Sequence, residues 1–156
     1  MAQVLIIGYG NPLRGDDGIG WHAAEAVARR VQDGNVEVLA SHQLTPEMAC
    51  PISRATLVIF IDAACDNKEG EVAFRRVEPD SSPSELFTHQ LTPEVLLGLA
   101  QRLYGSCAEA MLLSVGASSF EYGETLSPAV EAALPALLEQ VQTASGIRLQ
   151  PCPASS

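Results

Sequence analysis

Apolar and polar residues along this chain fall into blocks that switch between two periods. Val4-Leu5-Ile6-Ile7, Val36-Glu37-Val38-Leu39-Ala40, Leu57-Val58-Ile59-Phe60-Ile61 and Met111-Leu112-Leu113-Ser114-Val115 have the length and composition of strands. The third is unbroken, as a parallel strand covered on both faces would be. Between these runs, apolar positions recur at three and four. Ile19, Ala23, Ala24, Val27, Ala28 and Val31 predict an amphipathic helix ended by Asp33-Gly34. Val95, Leu96, Leu99 and Leu103 predict another, opened by Thr92-Pro93-Glu94 and closed by Gly105. A last helix is expected from Ser127-Pro128, with Ala129, Ala132, Ala133, Leu137, Leu138 and Val141 inward. Pro135 should kink or break it. Thr45-Pro46-Glu47 marks a short helix that Pro51 limits to a turn or two. Residues 71–77 alternate imperfectly and read as a half-exposed or edge strand, hairpinned back through residues 66–70.

Strands alternating with helices predict an α/β fold. No linker divides the chain. Residues 1–145 are therefore expected to form one domain, and the polar segment 146–156, with two prolines, a frayed tail. The length of 156 residues and the 47% hydrophobic content suffice for a core.

The formal charge of -10 argues against nucleic acid and against an anionic membrane surface as partners. No apolar stretch approaches the roughly 20 residues of a membrane span, and the start of the chain has no charged and apolar regions of a signal peptide. Cys50, Cys65, Cys107 and Cys152 are scattered, without a Cys-x-x-Cys pair. A reduced, cytoplasmic location is the expectation, with Cys50, Cys65 and Cys107 as small buried hydrophobes.

The chemistry concentrates in Gly8-Tyr9-Gly10-Asn11-Pro12-Leu13-Arg14-Gly15-Asp16-Asp17-Gly18-Ile19-Gly20, which links the first strand to the first helix. Glycines permit close backbone approach, and carboxylates at a helix N-terminus stay ionised beside the macrodipole. Asp16 and Asp17 either cap that helix or hold a cation. A dinucleotide fingerprint does not fit: Leu13 takes the third glycine position, and paired carboxylates would repel a pyrophosphate. His42-Gln43-Leu44-Thr45-Pro46-Glu47 recurs letter for letter as His89-Gln90-Leu91-Thr92-Pro93-Glu94. Helix-start chemistry explains Thr-Pro-Glu in both, but not the shared His-Gln. Either the likeness is chance, or two histidines are presented from loops around one cleft.

Open parallel sheets collect functional groups at the carboxyl ends of their strands. Asp17 follows the first strand, Asp62 ends the third, and His89 lies on a loop able to reach the same rim. Two carboxylates and an imidazole suit a divalent transition metal with positions left open. A strand-terminal aspartate also serves simply to cap a turn. No His-Glu-x-x-His and no Gly-x-Ser-x-Gly is present, so neither zinc-protease nor serine-hydrolase chemistry has support.

Nearly the whole chain resembles the hydrogenase maturation endopeptidases, which process the large subunit of nickel–iron hydrogenases. The resemblance rests on Gly8-x-Gly10-Asn11-x-Leu13-x-x-Asp16-Asp17-Gly18-x-Gly20, the strand ending in Asp62, His89, and Leu126-Ser127-Pro128 with Leu138-Glu139-Gln140-Val141. The doubled His-Gln-Leu-Thr-Pro-Glu is most similar to the branch serving soluble bidirectional hydrogenases.

The resemblance implies a three-layer sandwich, a twisted, mainly parallel five-stranded sheet flanked by helices. It implies removal of a C-terminal extension from the large-subunit precursor once nickel has been inserted. Nickel, carried by the precursor, would be engaged by Asp17, Asp62 and His89, which also become the catalytic candidates; no organic cofactor is expected. His42 and Asp16 become candidate substrate contacts. The partner would be the precursor, and a monomer suffices. Two departures matter. Some members carry Glu where this chain has Asp17, and some have an Asp-Gly-Gly type turn where it has His42-Gln43-Leu44, so an acidic group there does not carry over. The alternative is a nickel-binding assembly module that cuts nothing.

Overall fold

The first apolar run forms β1 (Val4–Tyr9), flanked by two parallel neighbours, β2 (Val36–Ser41) and β3 (Leu57–Glu69). This computed structural model describes residues 3–80, 91–118, 120, 123 and 125–150. Among these, β4 (Val72–Arg76) and β5 (Glu109–Gly116) complete a five-stranded sheet of order β2-β1-β3-β5-β4. Only β4 is antiparallel. A 3₁₀ turn (Gly15–Gly18) leads into α1 (Ile19–Arg30), and another (Pro46–Met48) into α2 (Ala49–Ser53). Two longer helices follow, α3 (Pro93–Tyr104) and α4 (Pro128–Ser145).

The period of two along the strands sorts their side chains into two cores. Ile6, Ile59 and Ile61 pack with α1 and α4 on one face, while Leu5, Ile7, Val58 and Phe60 pack with α2 and α3 on the other. The result is the three-layer α/β sandwich that the family resemblance implies. Thr92 caps α3 by accepting from the Val95 N–H at 3.2 Å, and Gly105 closes it in the left-handed region at φ 68°.

Five expectations are corrected. Residues 66–70 do not close a two-stranded hairpin, because β4 pairs with β5 rather than with β3. The chain leaves β3, arcs around Gly116 at the end of β5 and returns along that strand's far edge; Ala64 and Glu69 both pair with Gly116. A side chain at Gly116 would collide with the Lys68 carbonyl, so glycine is what allows the arc. α1 stops at Arg30, before Asp33-Gly34, since Val31 turns extended and bridges to Leu149. For the same reason the tail is docked as far as residue 150. Ile147 and Leu149 are buried, and Arg30 Nε donates to the Gln150 carbonyl at 2.6 Å; residues 151–156, Cys152 among them, lie outside the described residues. Cys65 and Cys107 are exposed and Cys50 half-buried, because Cys65 sits on the part of β3 beyond the core and Cys107 on the loop before β5. α4 runs on through Pro135, whose ring is exposed.

The tightest packing joins β1, α1 and β3. Gly8 lies against the Gly20 carbonyl and Ala24, and Gly20 in turn against the backbones of Tyr9 and Ile61. A Cβ at either glycine would overlap main-chain atoms that cannot rotate away. Gly20→Ala is therefore expected to destabilise the fold by about 3 kcal/mol or more. Gly34→Ala, with open space around the position, should stay within about 0.5 kcal/mol. Urea denaturation of both variants checks the contrast.

Candidate active site

Strand alternation carries the α2–α3 face of the sheet to its functional end. Leu5 and Ile7 are followed at the same period by Tyr9, Val58 and Phe60 by Asp62, and Ala110 by Leu112. Arg75 of β4 pairs in register with Leu112. Tyr9, Asp62, Leu112 and Arg75 thus line one cleft of about 370 Å³. Asp17 enters from the turn after β1, and the His42-Gln43-Leu44 segment and the start of α3 border the opening.

Asp17 is held by the backbone before it. Its Oδ2 accepts from the Asn11 N–H at 2.8 Å, and Asn11 Oδ1 accepts from the Leu13 N–H at 2.9 Å. Gly10, at φ 139°, lies against the Asp17 carbonyl where a side chain would not fit. Asp62 accepts from the Ala63 N–H at 2.7 Å. Its carboxyl titrates near 6, against 3.8 for an ordinary aspartate. Burial is the main cause and the Asp17 charge adds to it, while hydrogen bonds from the Tyr9 hydroxyl and the Ala63 N–H oppose both. The Tyr9 hydroxyl is pushed far up by burial and by Asp62, so it remains a neutral donor.

The neighbouring aspartate faces the other way. Asp16 is completely buried. Its Oδ1 accepts from the Ser127 N–H at 2.7 Å, and its Oδ2 from the Ser118 N–H at 2.8 Å, Ser118 Oγ at 3.1 Å and Ser127 Oγ at 2.8 Å. A carboxylate so enclosed has no surface to offer a ligand, and the expectation that Asp16 contacts substrate is corrected to an internal role. His42 is exposed at the cleft rim. His89 lies outside the described residues. Among the described residues no three His, Cys, Asp or Glu side chains converge to hold a metal; Asp17 and Asp62 supply two oxygen donors.

The two sequence copies do meet at this cleft: Leu44 from the first and Leu91 from the second both line it. Thr92 caps its helix through the side chain, whereas Thr45 makes no such bond. Sequence reasoning missed Tyr9, and it took Arg75 for a solvated edge-strand charge rather than a cleft residue. The period of two from Leu5 and Ile7 was the available signal for Tyr9. Arg75 gave none; it pairs with Glu94 of α3 at 3.0 Å across the cleft mouth.

Contrary to expectation, Asp62 does not end β3 but lies inside it, where the strand pairs on with β5. A mainly parallel sheet whose cleft brings Asp62 together with Asp17 from the turn after β1 defines an α/β protein with an acidic cleft suited to hydrolytic or cation chemistry. No family model matches the chain. The hydrogenase 2 maturation protease of Escherichia coli K12 is 30% identical over 159 residues, covering 96% of each chain. The solved structure of the maturating endopeptidase HybD of Escherichia coli superposes with a TM-score of 0.72 at 29% identity, covering 99% of this chain and 100% of that one. A hydrogenase 2 maturation peptidase from a Thaumarchaeota archaeon gives 0.72 at 27% identity, over 94% and 99%. The chain belongs to the hydrogenase maturation proteases, a family of peptidases. Among the described residues, no helix is long and apolar enough to cross a membrane.

Asp62 carries a consequence for stability. Its folded-state pKa of about 6 lies above the unfolded value, so the folded protein retains a proton that the unfolded chain releases. Its contribution is then most favourable below about pH 4 and is lost as pH rises through 6. Asp62→Asn removes that loss. Relative to the natural protein, the variant should gain about 2–3 kcal/mol more at pH 7.5 than at pH 4, read from urea unfolding at the two pH values.

Proposed function

We propose that this protein removes the C-terminal extension of a nickel–iron hydrogenase large-subunit precursor after nickel insertion, with the nickel in the precursor as its recognition element. The observation that carries this reading is the convergence of Asp17 and Asp62 on one cleft in a member of this family. Two oxygen donors there, together with the imidazole that the family resemblance assigns to His89, would form the kind of set a divalent transition metal accepts. Seating the precursor's metal on these side chains would bring the adjoining peptide bond to the floor formed by Tyr9 and Asp62.

Cleavage needs water to lose a proton as it adds to the scissile carbonyl. Asp62 is suited to receive that proton on an oxygen that the metal leaves free, because it stands in the cleft between Tyr9 and Asp17. Nickel carried by the precursor would be held by Asp17 and Asp62 and would supply charge that polarises the carbonyl. The neutral Tyr9 hydroxyl orients Asp62 through its hydrogen bond. His42, exposed at the rim, contacts the arriving polypeptide.

The test is mass analysis of nickel-loaded and nickel-free large-subunit precursor after incubation with the protein. Loss of a C-terminal peptide is expected only from the loaded form. Asp17→Ala, Asp62→Ala and His89→Ala should each slow that loss by about 100-fold or more, without unfolding the protein. Full activity in all three variants would overturn the assignment. Capture of loaded precursor without cleavage would identify an assembly module instead.

A further inference from the structure

We propose that Asp16 is a positioning residue whose buried carboxylate, fastened to Ser118 and Ser127, holds Asp17 at the cleft. The proposal rests on the reading of Asp17 as a group that engages substrate. Asp16 is a completely buried charged side chain, and a burial of that kind is tolerated only where hydrogen bonds replace the lost water. Here the donors come from two separate places. Ser118 follows the end of β5, and Ser127 is the residue that starts α4. Both are drawn onto the 3₁₀ turn that carries Asp17 on its next residue.

A second set of bonds runs beside the first. The Gly15 N–H donates to the Gly123 carbonyl at 2.9 Å, and the Gly123 N–H to the Leu13 carbonyl at 2.7 Å. The segment from 13 to 16 is therefore clamped along its inner side. Asp17 projects from the outer side and closes on the Asn11 N–H. Consecutive residues in a tight turn cannot move independently, so anchoring Asp16 inward fixes where Asp17 points.

The arrangement makes a chemical prediction that shape alone does not. Each oxygen of Asp16 faces a backbone N–H, Ser127 on one and Ser118 on the other. Asparagine is nearly the same shape but offers one acceptor and one NH₂ group. Whichever way its amide is turned, the NH₂ meets a backbone donor that cannot rotate. Asp16→Asn should thus fail, whereas Ser118→Ala and Ser127→Ala, which keep both backbone donors, should be mild.

Hydrogen exchange of the Asn11 amide reports the Asp17 carboxylate directly, because Asp17 Oδ2 is its acceptor. In Asp16→Asn this amide is expected to exchange about tenfold faster or more, while the core amides of Ile6 and Ile59 keep their protection. Processing of nickel-loaded precursor should fall by about 100-fold, and each serine variant should stay within about threefold of the natural rate. An Asn11 amide as protected as in the natural protein would overturn the proposal. So would uniform acceleration of all amides, which would mean that Asp16 serves overall stability alone. If Asp16→Asn does not fold, the double variant Ser118→Ala with Ser127→Ala replaces it, because it removes both hydroxyl donors to Asp16 at once where each single variant removes one: exchange at Asn11 about threefold to tenfold faster over a protected core supports the latch, and unchanged exchange overturns it. Absence of processing by the natural protein would defeat the proposed function, while the exchange measurement would still decide whether Asp16 holds Asp17.

Discussion

The close contact of three main chains, β1, α1 and β3, underlies the rest of this molecule. Gly8 and Gly20 lack the one atom that would keep the helix off the strands, so the start of α1 settles directly over the ends of β1 and β3. The turn between β1 and α1 then has nowhere to go but across the carboxyl edge of the sheet. Asp17 is brought beside Asp62 by that constraint, although the two are distant in sequence. Parallel sheets tend to gather ligands at this edge because the loops there diverge above a rigid floor.

Three aspartates near one another end in different surroundings, set by the donors each can find. Asp16, completely buried, is surrounded by donors from two segments. Asp17 sits at the cleft with the Asn11 amide. Asp62 is the poorly served one: burial and the charge of Asp17 outweigh its two donors, and its pKa rises. A buried carboxyl that would be more comfortable protonated works against the fold at neutral pH. Natural proteins tolerate such costs mainly where the strained group has chemistry to perform.

The far side of the cleft is built by a less regular device. β3 overshoots the core, arcs around Gly116 and sends β4 back along the outer edge of β5. That route puts Arg75 at the cleft mouth, paired with Glu94 from the first turn of α3. An ion pair this exposed adds little to stability. Its effect is to oppose the carboxylate end of the cleft with a cation held in a defined place.

Elements set by local chemistry were legible in the sequence: the unbroken strand at 57–61, the glycine turn, and the Thr92-Pro93 start and Gly105 end of α3. Their alternation was enough for an α/β fold, and the ends of the apolar runs were enough to make Asp17 and Asp62 candidates. Whether adjacent Asp16 and Asp17 share a role was not legible, because their fates depend on Ser118 and Ser127, over a hundred residues away. The same holds for α1 stopping at Arg30, which Leu149 enforces, and for β4 choosing β5 over β3. Residue spacing determined which segments could be strands, turns and helices, since those preferences act over a few residues. Only the folded chain decided which carboxylate found enough donors, which was left short of them and which edge received Arg75, because burial and hydrogen bonding are settled by neighbours that sequence order does not bring together.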